Sequence, residues 1–314
     1  MNIAYCISAY KDPQQLKKLI LALDTDSSFF LVHIDKRVKN ISEFEAIKKD
    51  CTHLRICKQR FFVQWGGWNQ VKYQELFLKE ALEFPIKIDR ILILTGMDYP
   101  LWNNYRIHHY FEQNPEIIMM RGINLTRLQK SSPMSNLLRI RHIGRDWPIK
   151  SNLLWKIETK LFRVIATILP FRRKNFLVIN NEQWDIWQAS GYFSVNREQA
   201  EYILQTLKKS AIIQYFRFCF VPEEMTIPTI IFNSKYKKNA QILSDTVYKG
   251  LTTLAALHIF EYGKTIKIYT ENDFQVLTQS GKMFARKLCT GHSEKLIELL
   301  NKHFNAPQQY ENEK

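Results

Sequence analysis

A strand–turn–helix–strand pattern begins the chain and constrains its fold more than any other feature. Residues 3–8 and 29–34 are apolar runs short enough to be buried strands, and residues 16–23 between them have the apolar spacing of a helix. Two strands connected through a helix lie parallel, with a right-handed crossover. The sequence therefore predicts a parallel sheet that starts with the first residues of the chain.

The same alternation continues along most of the chain. Residues 71–82, 104–111 and 197–208 have helical spacing, while residues 90–94, 117–120 and 192–195 are typical of strands. We therefore expect an α/β fold with a mostly parallel central sheet flanked by helices. Because no Gly/Ser/Pro linker or internal repeat divides the sequence, a single domain is expected over residues 1–304, followed by a polar tail over 305–314.

A basic segment over residues 131–174 interrupts this alternation. Residues 153–169 within it have the apolar spacing of a helix, which predicts a basic helical insertion. Two interpretations remain open. The helix either packs on its own domain or lies on anionic lipid headgroups, with residues 139–174 as the membrane contact.

The whole chain is also basic. It has 45 Lys and Arg against 30 Asp and Glu, a net charge of +15, which indicates an anionic partner: nucleic acid, a membrane surface or a phosphate-bearing small molecule. We expect no nucleic acid, because the sequence has no recognition-helix or RNP-type motif. An apolar content of 46% excludes a disordered chain.

The cysteines and the hydropathy pattern bear on the compartment. Five cysteines without a CxxC pair predict reduced, buried thiols and a reducing compartment. No apolar run reaches the length of about 18 residues that a membrane span needs. We expect no signal peptide, because the first predicted strand already begins at residue 3. We therefore expect a cytoplasmic protein. A peripheral position on the inner face of the cell membrane is compatible with this expectation.

Common cofactor motifs are absent from the sequence. It contains no GxGxxG, GxxxxGK[ST] or GxSxG pattern, and its eight histidines are not spaced as zinc ligands. Its one Asp-x-Asp, Asp24-Thr25-Asp26, follows the first helix, where a turn or cap is the better interpretation. We expect no metal and no cofactor.

Two carboxylates follow predicted strands. Asp35 comes directly after residues 29–34, and Asp98 lies shortly after residues 90–94. Ligands of open parallel sheets bind beyond the carboxyl ends of the strands, where Asp35 can accept hydrogen bonds from a ribose or a base. A cap or surface ion pair at Asp35 and a simple turn at Asp98 are the structural alternatives.

Three further segments contain residues suited to chemistry. Trp68 lies next to two glycines before a helix, where the chain can approach a ligand or simply form a packed turn. Glu223 and Glu224 are adjacent, and they either cap a helix or supply a catalytic base. Arg286 and Lys287 lie beside apolar residues, an arrangement that suits a phosphate clamp or a solvated charged face.

Together these segments resemble one family, the core 2/I-branching β-1,6-N-acetylglucosaminyltransferases and peptide O-xylosyltransferases. The similarity extends over roughly residues 3–300. It is carried in order by Ile3-Ala4-Tyr5-Cys6-Ile7-Ser8-Ala9-Tyr10-Lys11-Asp12-Pro13, Val32-His33-Ile34-Asp35-Lys36-Arg37, Gly67-Trp68-Asn69-Gln70-Val71, Thr95-Gly96-Met97-Asp98-Tyr99-Pro100-Leu101, Ser190-Gly191-Tyr192-Phe193-Ser194-Val195-Asn196-Arg197, Pro222-Glu223-Glu224, Tyr269-Thr270-Glu271-Asn272-Asp273-Phe274 and Met283-Phe284-Ala285-Arg286-Lys287.

The resemblance implies a GT-A-like glycosyltransferase that inverts the anomeric centre of a UDP-sugar without a metal. A bacterial member is expected, because eukaryotic members of the family usually have a membrane anchor and many disulfides. By position, Glu224 matches the catalytic carboxylate, Lys287 a residue on the UDP diphosphate, and Asp35 the acid near the uridine. Arg286 and Lys264 are expected to assist Lys287, with Lys264 standing where the family often has an arginine.

The expected acceptor-binding residues include two departures from the family. Tyr192 stands where the family often has Trp, and Glu223 stands where it has Asp; Asp98 and Trp68 complete the set. The expected function is transfer of a sugar, N-acetylglucosamine first, from a UDP-sugar to a hydroxyl of a glycan or glycolipid in surface glycan synthesis. The alternatives are a xylosyltransferase-like enzyme that uses UDP-xylose, and a non-catalytic protein that binds glycan or nucleic acid.

Overall fold

The computed structural model of the chain describes residues 1–128, 146, 157, 160, 161, 164, 174–263 and 265–305. Most of the predicted basic insertion, its expected membrane contact, Lys264 and the tail beyond residue 305 lie outside these residues. Within the described part of the chain, no helix is long and apolar enough to cross a membrane. All five cysteines are buried, as the sequence predicts.

The strands are short apart from three that form the centre of the fold. In chain order they are β1 (Ile3–Ala9), β2 (Ser28–Ile34), β3 (Leu54–Ile56), β4 (Arg90–Thr95), β5 (Asp98–Pro100), β6 (Arg121–Asn124), β7 (Phe176–Ile179), β8 (Glu182–Asp185), β9 (Trp187–Gln188), β10 (Ser194–Asn196), β11 (Gln241–Ile242), β12 (His258–Ile259) and β13 (Phe284–Arg286).

The helices alternate with these strands. They are α1 (Pro13–Leu23), α2 (Ser42–Ala46), α3 (Asn69–Leu82), α4 (Asn104–Gln113), α5 (Arg197–Leu207), α6 (Ser210–Phe216), α7 (Thr226–Phe232), α8 (Leu251–Leu254), α9 (Phe274–Thr278) and α10 (Glu294–Asn305). Short 3₁₀ turns lie at Ile47–Lys49, Pro222–Glu224, Lys235–Asn239 and Glu271–Asp273.

The central sheet has the strand order β10-β4-β1-β2-β3. Strands β4, β1, β2 and β3 are parallel, and β10 joins the edge antiparallel to β4. The β1–β2 register runs from Ile3 opposite Ser28 to Ala9 opposite Ile34. The predicted α/β fold with a mostly parallel sheet is confirmed.

Both faces of the sheet are buried, which explains why its strands are continuous apolar runs. Ala4 and Cys6 of β1 point into a core that includes Phe77 of α3. Tyr5 and Ile7 alternate with them and point into a second core, which includes Leu19 of α1. The period of two along β1 therefore supplies apolar side chains to two layers of helices.

Residues 117–120 do not form the predicted strand; β6 begins at Arg121 instead. The backbone groups of this segment bind partners from separate parts of the fold. Ile118 N–H donates to the carbonyl of Asn239, and Met119 N–H donates to that of Ser194. Ile118 and Met120 are buried, but no strand in the described part of the chain pairs with this segment in a ladder.

A small sheet of order β12-β13-β5 lies beside the central one and is not apparent from the sequence. Its strands are two or three residues long, too short to show an apolar period. The antiparallel pairing of β13 with β5 places Arg286 opposite Asp98. Two residues that the sequence separates widely are thereby brought into contact.

Arg90, the first residue of β4, is fully buried and organises the turn after α4. Its guanidinium donates hydrogen bonds to the carbonyls of Asn114, Pro115 and Ile117 and lies 4.6 Å from the ring centre of Phe111. These contacts satisfy carbonyl groups that no helix or strand pairs.

Replacing Arg90 with Met should lower the free energy of unfolding by about 3 kcal/mol, because the Ile117 carbonyl loses the donor that Arg90 supplies and the Asn114 and Pro115 carbonyls each lose one of two donors. Urea denaturation measures the change. The matched control is Lys87→Met, since Lys87 is 76% exposed and only 3.8 Å from Asp89, a contact of little energetic value. Equal stability of the two variants would show that Arg90 does not hold this turn.

Candidate functional site

A cavity of about 320 Å³ lies at the carboxyl edge of the central sheet, and we call it the edge cavity. Its walls include the residues at and just beyond the ends of three parallel strands: Lys11 after β1, Asp35 after β2, and Gly96 after β4. This is where open α/β sheets bind their ligands. The position of the edge cavity follows directly from the strand order.

A second cavity of about 100 Å³ adjoins the first and contains both predicted carboxylates, Glu223 and Glu224; we call it the carboxylate cavity. The two cavities share five wall residues, so they form one continuous cleft. The shared residues are Trp65, Gln70, Tyr73, Tyr192 and Arg286.

Glu224 ends a 3₁₀ turn that starts after Val221, whose φ of 47° is in the left-handed region. Gln188 Nε2 donates a hydrogen bond of 2.9 Å to Glu224 Oε2. Burial raises the pKa of Glu224 to about 7, although the hydrogen bond from Gln188 acts in the opposite direction. Such a carboxylate changes its charge near neutral pH, as a general base requires.

Glu223 is buried more deeply than Glu224, with 6% of its surface exposed. Gln70 Nε2, from the first turn of α3, donates a hydrogen bond to Glu223 Oε1. Burial raises the pKa of Glu223 well above its usual range, and the charge of Glu224 raises it further. The two neighbouring acids therefore have different environments.

Asp98 is completely buried and binds Arg286 rather than lining either cavity. It accepts hydrogen bonds from Thr95 N at 2.7 Å and from His258 Nε2 at 2.9 Å, and Arg286 Nη1 lies 3.3 Å from its Oδ1. Burial alone would raise the pKa of Asp98, but His258 and then Arg286 outweigh it and hold that pKa below its ordinary value.

Arg286 is thereby fixed in the wall between the two cavities. Its guanidinium carbon lies 4.9 Å from the ring centre of Tyr192, and its Nη1 also donates to Thr95 Oγ1. A cation over an aromatic face and beside a carboxylate is held by two attractions at once. The sequence predicted Arg286 and Tyr192 as site residues, and the structure brings them together on the cleft.

Lys287 follows Arg286 at the end of β13, and Lys11 lies in the wall of the edge cavity. Burial lowers the pKa of Lys287, and the positive charges of Arg286 and Lys11 lower it further. We call Lys11, Arg286 and Lys287 the cation cluster. Positive charges gathered around Lys287 in this way favour the binding of an anion.

Asp35 lines the edge cavity, but both of its oxygens are already bound. Arg37 contacts them through Nε at 3.0 Å and Nη2 at 2.8 Å, and Val63 N–H donates at 3.1 Å. The structure thus places Asp35 at the carboxyl edge of the sheet, as predicted. There it also forms an ion pair with Arg37, which was the structural alternative for this residue.

Trp68 and Trp65 differ in their surroundings. Trp68 is 7% exposed and packs in the core with Val71 and Phe77, and it does not line either cavity. Trp65, which is 59% exposed, occupies the shared wall of the cleft instead. The sequence indicates the correct segment, but Trp65 rather than Trp68 lines the cleft.

Several residues of the cleft were missed by the sequence analysis. Lys11 had a signal, because it follows β1 just as Asp35 follows β2. Tyr73 and Gln188 had none: the first lies on an ordinary helix face, and the second on a strand of two residues.

Asp24-Thr25-Asp26 follows the end of α1, at the opposite edge of the sheet from the cleft. Asp24 Oδ1 accepts a hydrogen bond from Cys51 Sγ at 3.6 Å. Among the described residues, no three His, Cys, Asp or Glu side chains are grouped so that they could hold a metal ion.

The structure thus defines an α/β protein with a mostly parallel sheet and a cleft at the carboxyl edge, where proteins of this class bind their ligands. The sequence profile described as "Core-2/I-Branching enzyme" matches residues 3–276. The chain belongs to this family, which confirms the resemblance found in the sequence.

Named relatives agree with the family. Xylosyltransferase 2 of Rattus norvegicus is 22% identical over 316 residues, which cover 96% of this chain and 34% of that protein. The beta-1,3-galactosyl-O-glycosyl-glycoprotein beta-1,6-N-acetylglucosaminyltransferase of Homo sapiens is 21% identical over 235 residues, 73% of this chain and 48% of that protein. The chain thus spans about a third to a half of the length of these relatives.

Among solved structures, mouse xyloside xylosyltransferase 1 is similar over 78% of this chain and 85% of that one, with a TM-score of 0.33 and 11% identity.

Replacing Gln188 with Leu should raise the pKa of Glu224 by about one unit above its value near 7, because a hydrogen bond to the charged form is lost. A ¹³C NMR titration of the glutamate side-chain carboxyls measures this, with the Glu224 signal identified by its absence from Glu224→Gln. Gln183→Leu, at an exposed position of β8, is the control. An unchanged titration midpoint in Gln188→Leu would contradict the assigned hydrogen bond.

Proposed function

We propose that the chain is an inverting glycosyltransferase that moves a sugar from a UDP-sugar to a hydroxyl of a glycan acceptor, with Glu224 as the general base. One observation carries the proposal: Glu224 and Arg286 both line the carboxylate cavity, and Arg286 also lines the edge cavity. A base and a site for an anion therefore lie on the same continuous cleft.

Direct displacement at the anomeric carbon needs a base on the attacking hydroxyl. Glu224 fits this role because its carboxylate is partly exposed in the carboxylate cavity and its pKa is about 7. It is ionised in an appreciable fraction of molecules at neutral pH while still basic enough to accept a proton. The acceptor hydroxyl transfers its proton to Glu224 as its oxygen bonds to the sugar and the bond to UDP breaks.

Departure of UDP leaves negative charge on the diphosphate. The cation cluster of Lys11, Arg286 and Lys287 can stabilise that charge, since fixed cations cost little reorganisation during the reaction. Arg286 is the best oriented of the three because Asp98 and Thr95 hold its guanidinium. Lys264 remains part of the proposal as a further donor-binding cation, and its position lies outside the described residues.

The cation cluster also supports transfer without a divalent metal. In the proposed mechanism its side chains supply the positive charge that a metal would otherwise provide. The Asp-x-Asp sequence at residues 24–26 lies at the far edge of the sheet, where it cannot reach a diphosphate in the edge cavity.

The uridine part of the donor is assigned to the end of the edge cavity next to Asp35. Tyr10 lies there with 48% of its surface exposed, and the guanidinium carbon of Arg37 is 5.9 Å from its ring centre. Because Arg37 and Val63 donate hydrogen bonds to the Asp35 oxygens, Asp35 would hold these two residues in place in the cavity wall in addition to contacting the nucleoside.

The acceptor is assigned to the carboxylate cavity, which contains Tyr192, Glu223 and the exposed indole of Trp65. Aromatic faces beside polar groups suit a sugar ring, which has apolar and hydroxylated surfaces. We place Asp98 behind Arg286 as a positioning residue, and Trp68 in the core that supports the Trp65 segment.

N-acetylglucosamine is the first candidate for the transferred sugar, because it is named in the β-1,6-N-acetylglucosaminyltransferase relatives. Xylose is the second, because the xylosyltransferase 2 relatives align with 96% of the chain. A glycan or glycolipid acceptor, peripheral membrane contact through residues 139–174 and a cytoplasmic location belong to the same proposal. The carboxylate pair on the cleft argues against a phosphate backbone as its ligand.

Replacing Glu224 with Gln should lower the rate of sugar transfer by about 10²–10⁴-fold, because the amide cannot accept the acceptor proton, while UDP affinity is retained. Transfer from UDP-N-acetylglucosamine and UDP-xylose to a panel of p-nitrophenyl glycosides measures the rate, and calorimetry measures UDP binding. Glu83→Gln, at an exposed position after α3, is the matched control. Near-wild-type turnover in Glu224→Gln would remove Glu224 from the mechanism.

A further inference from the structure

Glu223 presents an unusual buried oxygen to the cleft. Only 6% of the residue is exposed, and its Oε2 has no hydrogen-bond partner among the described residues, although its Oε1 accepts a hydrogen bond from Gln70. Glu223 is also a wall residue of the carboxylate cavity. A buried polar atom without a partner is costly unless something else binds it.

The backbone around Glu223 fixes the position of its side chain. A Cβ atom at Gly191 would lie 3.2 Å from Glu223 Cγ, so the absence of a side chain there allows this close approach. Gln70 Nε2, from α3, donates a hydrogen bond to one of the two carboxyl oxygens. The second oxygen is therefore the one left for a ligand in the cavity.

The charges around Glu223 favour its uncharged form. Glu224 is the next residue in the chain, and two adjacent buried carboxylates are not both ionised at low cost. Glu224 is the more exposed of the two and receives a hydrogen bond from Gln188, so the negative charge resides on Glu224. The titratable and charged groups that face Glu223 are Tyr73, Asp146, Tyr192, Glu224, Tyr262 and Arg286.

Arg286, the one cation in that set, is already engaged by Asp98 and Thr95. It does not form an ion pair with Glu223. Burial and the charge of Glu224 together raise the pKa of Glu223 well above its usual range. Burial, the adjacent Glu224 and the unpartnered Oε2 thus all favour the protonated form of Glu223, which has an O–H group to donate.

We propose that Glu223 acts in its protonated form and donates a hydrogen bond from Oε2–H to an oxygen of the acceptor sugar next to the hydroxyl that Glu224 deprotonates. This inference rests on the proposed function and deepens it. Glu223 keeps its proton throughout, so no proton is transferred at this residue. Glu224 thus accepts a proton and Glu223 donates a hydrogen bond. Together they select a sugar that has an oxygen beside its reacting hydroxyl.

Parallel substitutions at the two acids test the proposal. Glu223→Gln should lose far less transfer activity than Glu224→Gln, whose rate falls by about 10²–10⁴-fold, because the amide at position 223 can still accept from Gln70 and donate into the cavity. Glu223→Leu has neither group and should lower kcat/KM by about 10- to 100-fold. Inactive but folded Glu223→Gln, or a fully active Glu223→Leu, would overturn the proposal.

The pH dependence separates this role from a purely structural one. The wild type should lose activity at low pH as Glu224 is protonated and again at high pH as Glu223 ionises. Glu223→Gln should lack the high-pH decline, because its amide does not titrate. A decline of the same size and midpoint in both proteins would contradict a protonated Glu223.

An infrared measurement tests protonation without any substrate. The wild-type minus Glu223→Gln difference spectrum, taken about one pH unit above the Glu224 pKa of about 7, should contain the carbonyl stretch of a protonated carboxylic acid. A carboxylate band in its place would overturn the proposal. If the wild type uses neither UDP-sugar, the proposed function fails together with this inference; if the wild type is active and Glu223→Gln is not, only this inference fails.

Discussion

The buried contact between Asp98 and Arg286 determines how the cleft is built. Asp98 has no exposed surface and binds Thr95 at the end of β4, His258 of β12 and Arg286 of β13. One carboxylate thus joins the central sheet to the small sheet beside it. Removing one partner from such a buried set leaves the others uncompensated, which is why its geometry is rigid. The guanidinium that faces both cavities is held by this contact.

The fixed position of Arg286 separates positive from negative charge along the cleft. Lys11 and Arg286 of the cation cluster line the edge cavity, Lys287 follows Arg286 in the chain without lining either cavity, and the two glutamates line the carboxylate cavity. The glutamates are chemically distinct although they are neighbours, since Glu224 is partly exposed and bound by Gln188 while Glu223 is buried. In the proposed mechanism, environment rather than residue type therefore makes Glu224 the proton acceptor and Glu223 the hydrogen-bond donor. In the proposed mechanism, the same cleft accommodates the departing diphosphate and the attacking hydroxyl.

The central sheet was predictable because β1, β2 and β4 are buried on both faces and are therefore continuous apolar runs. Asp35 followed from the rule that ligands meet the carboxyl ends of such strands. The contact of Asp98 with Arg286 was not predictable, because 188 residues separate them and their strands are three residues long. Nor could the sequence distinguish Trp65 from Trp68, since packing alone decides which indole of a glycine-rich turn enters the core.

The central claim is that fixed cations rather than a divalent ion hold a diphosphate at the edge cavity. Titration calorimetry of UDP binding in excess EDTA, with the wild type and Lys287→Met, tests it most directly, and Lys11→Met supplies a second variant. The wild type should bind UDP equally with EDTA and with Mg²⁺, and each variant should bind at least about tenfold more weakly, a loss of about 1.4 kcal/mol. UDP binding that requires Mg²⁺ and is unchanged in both variants would contradict the account.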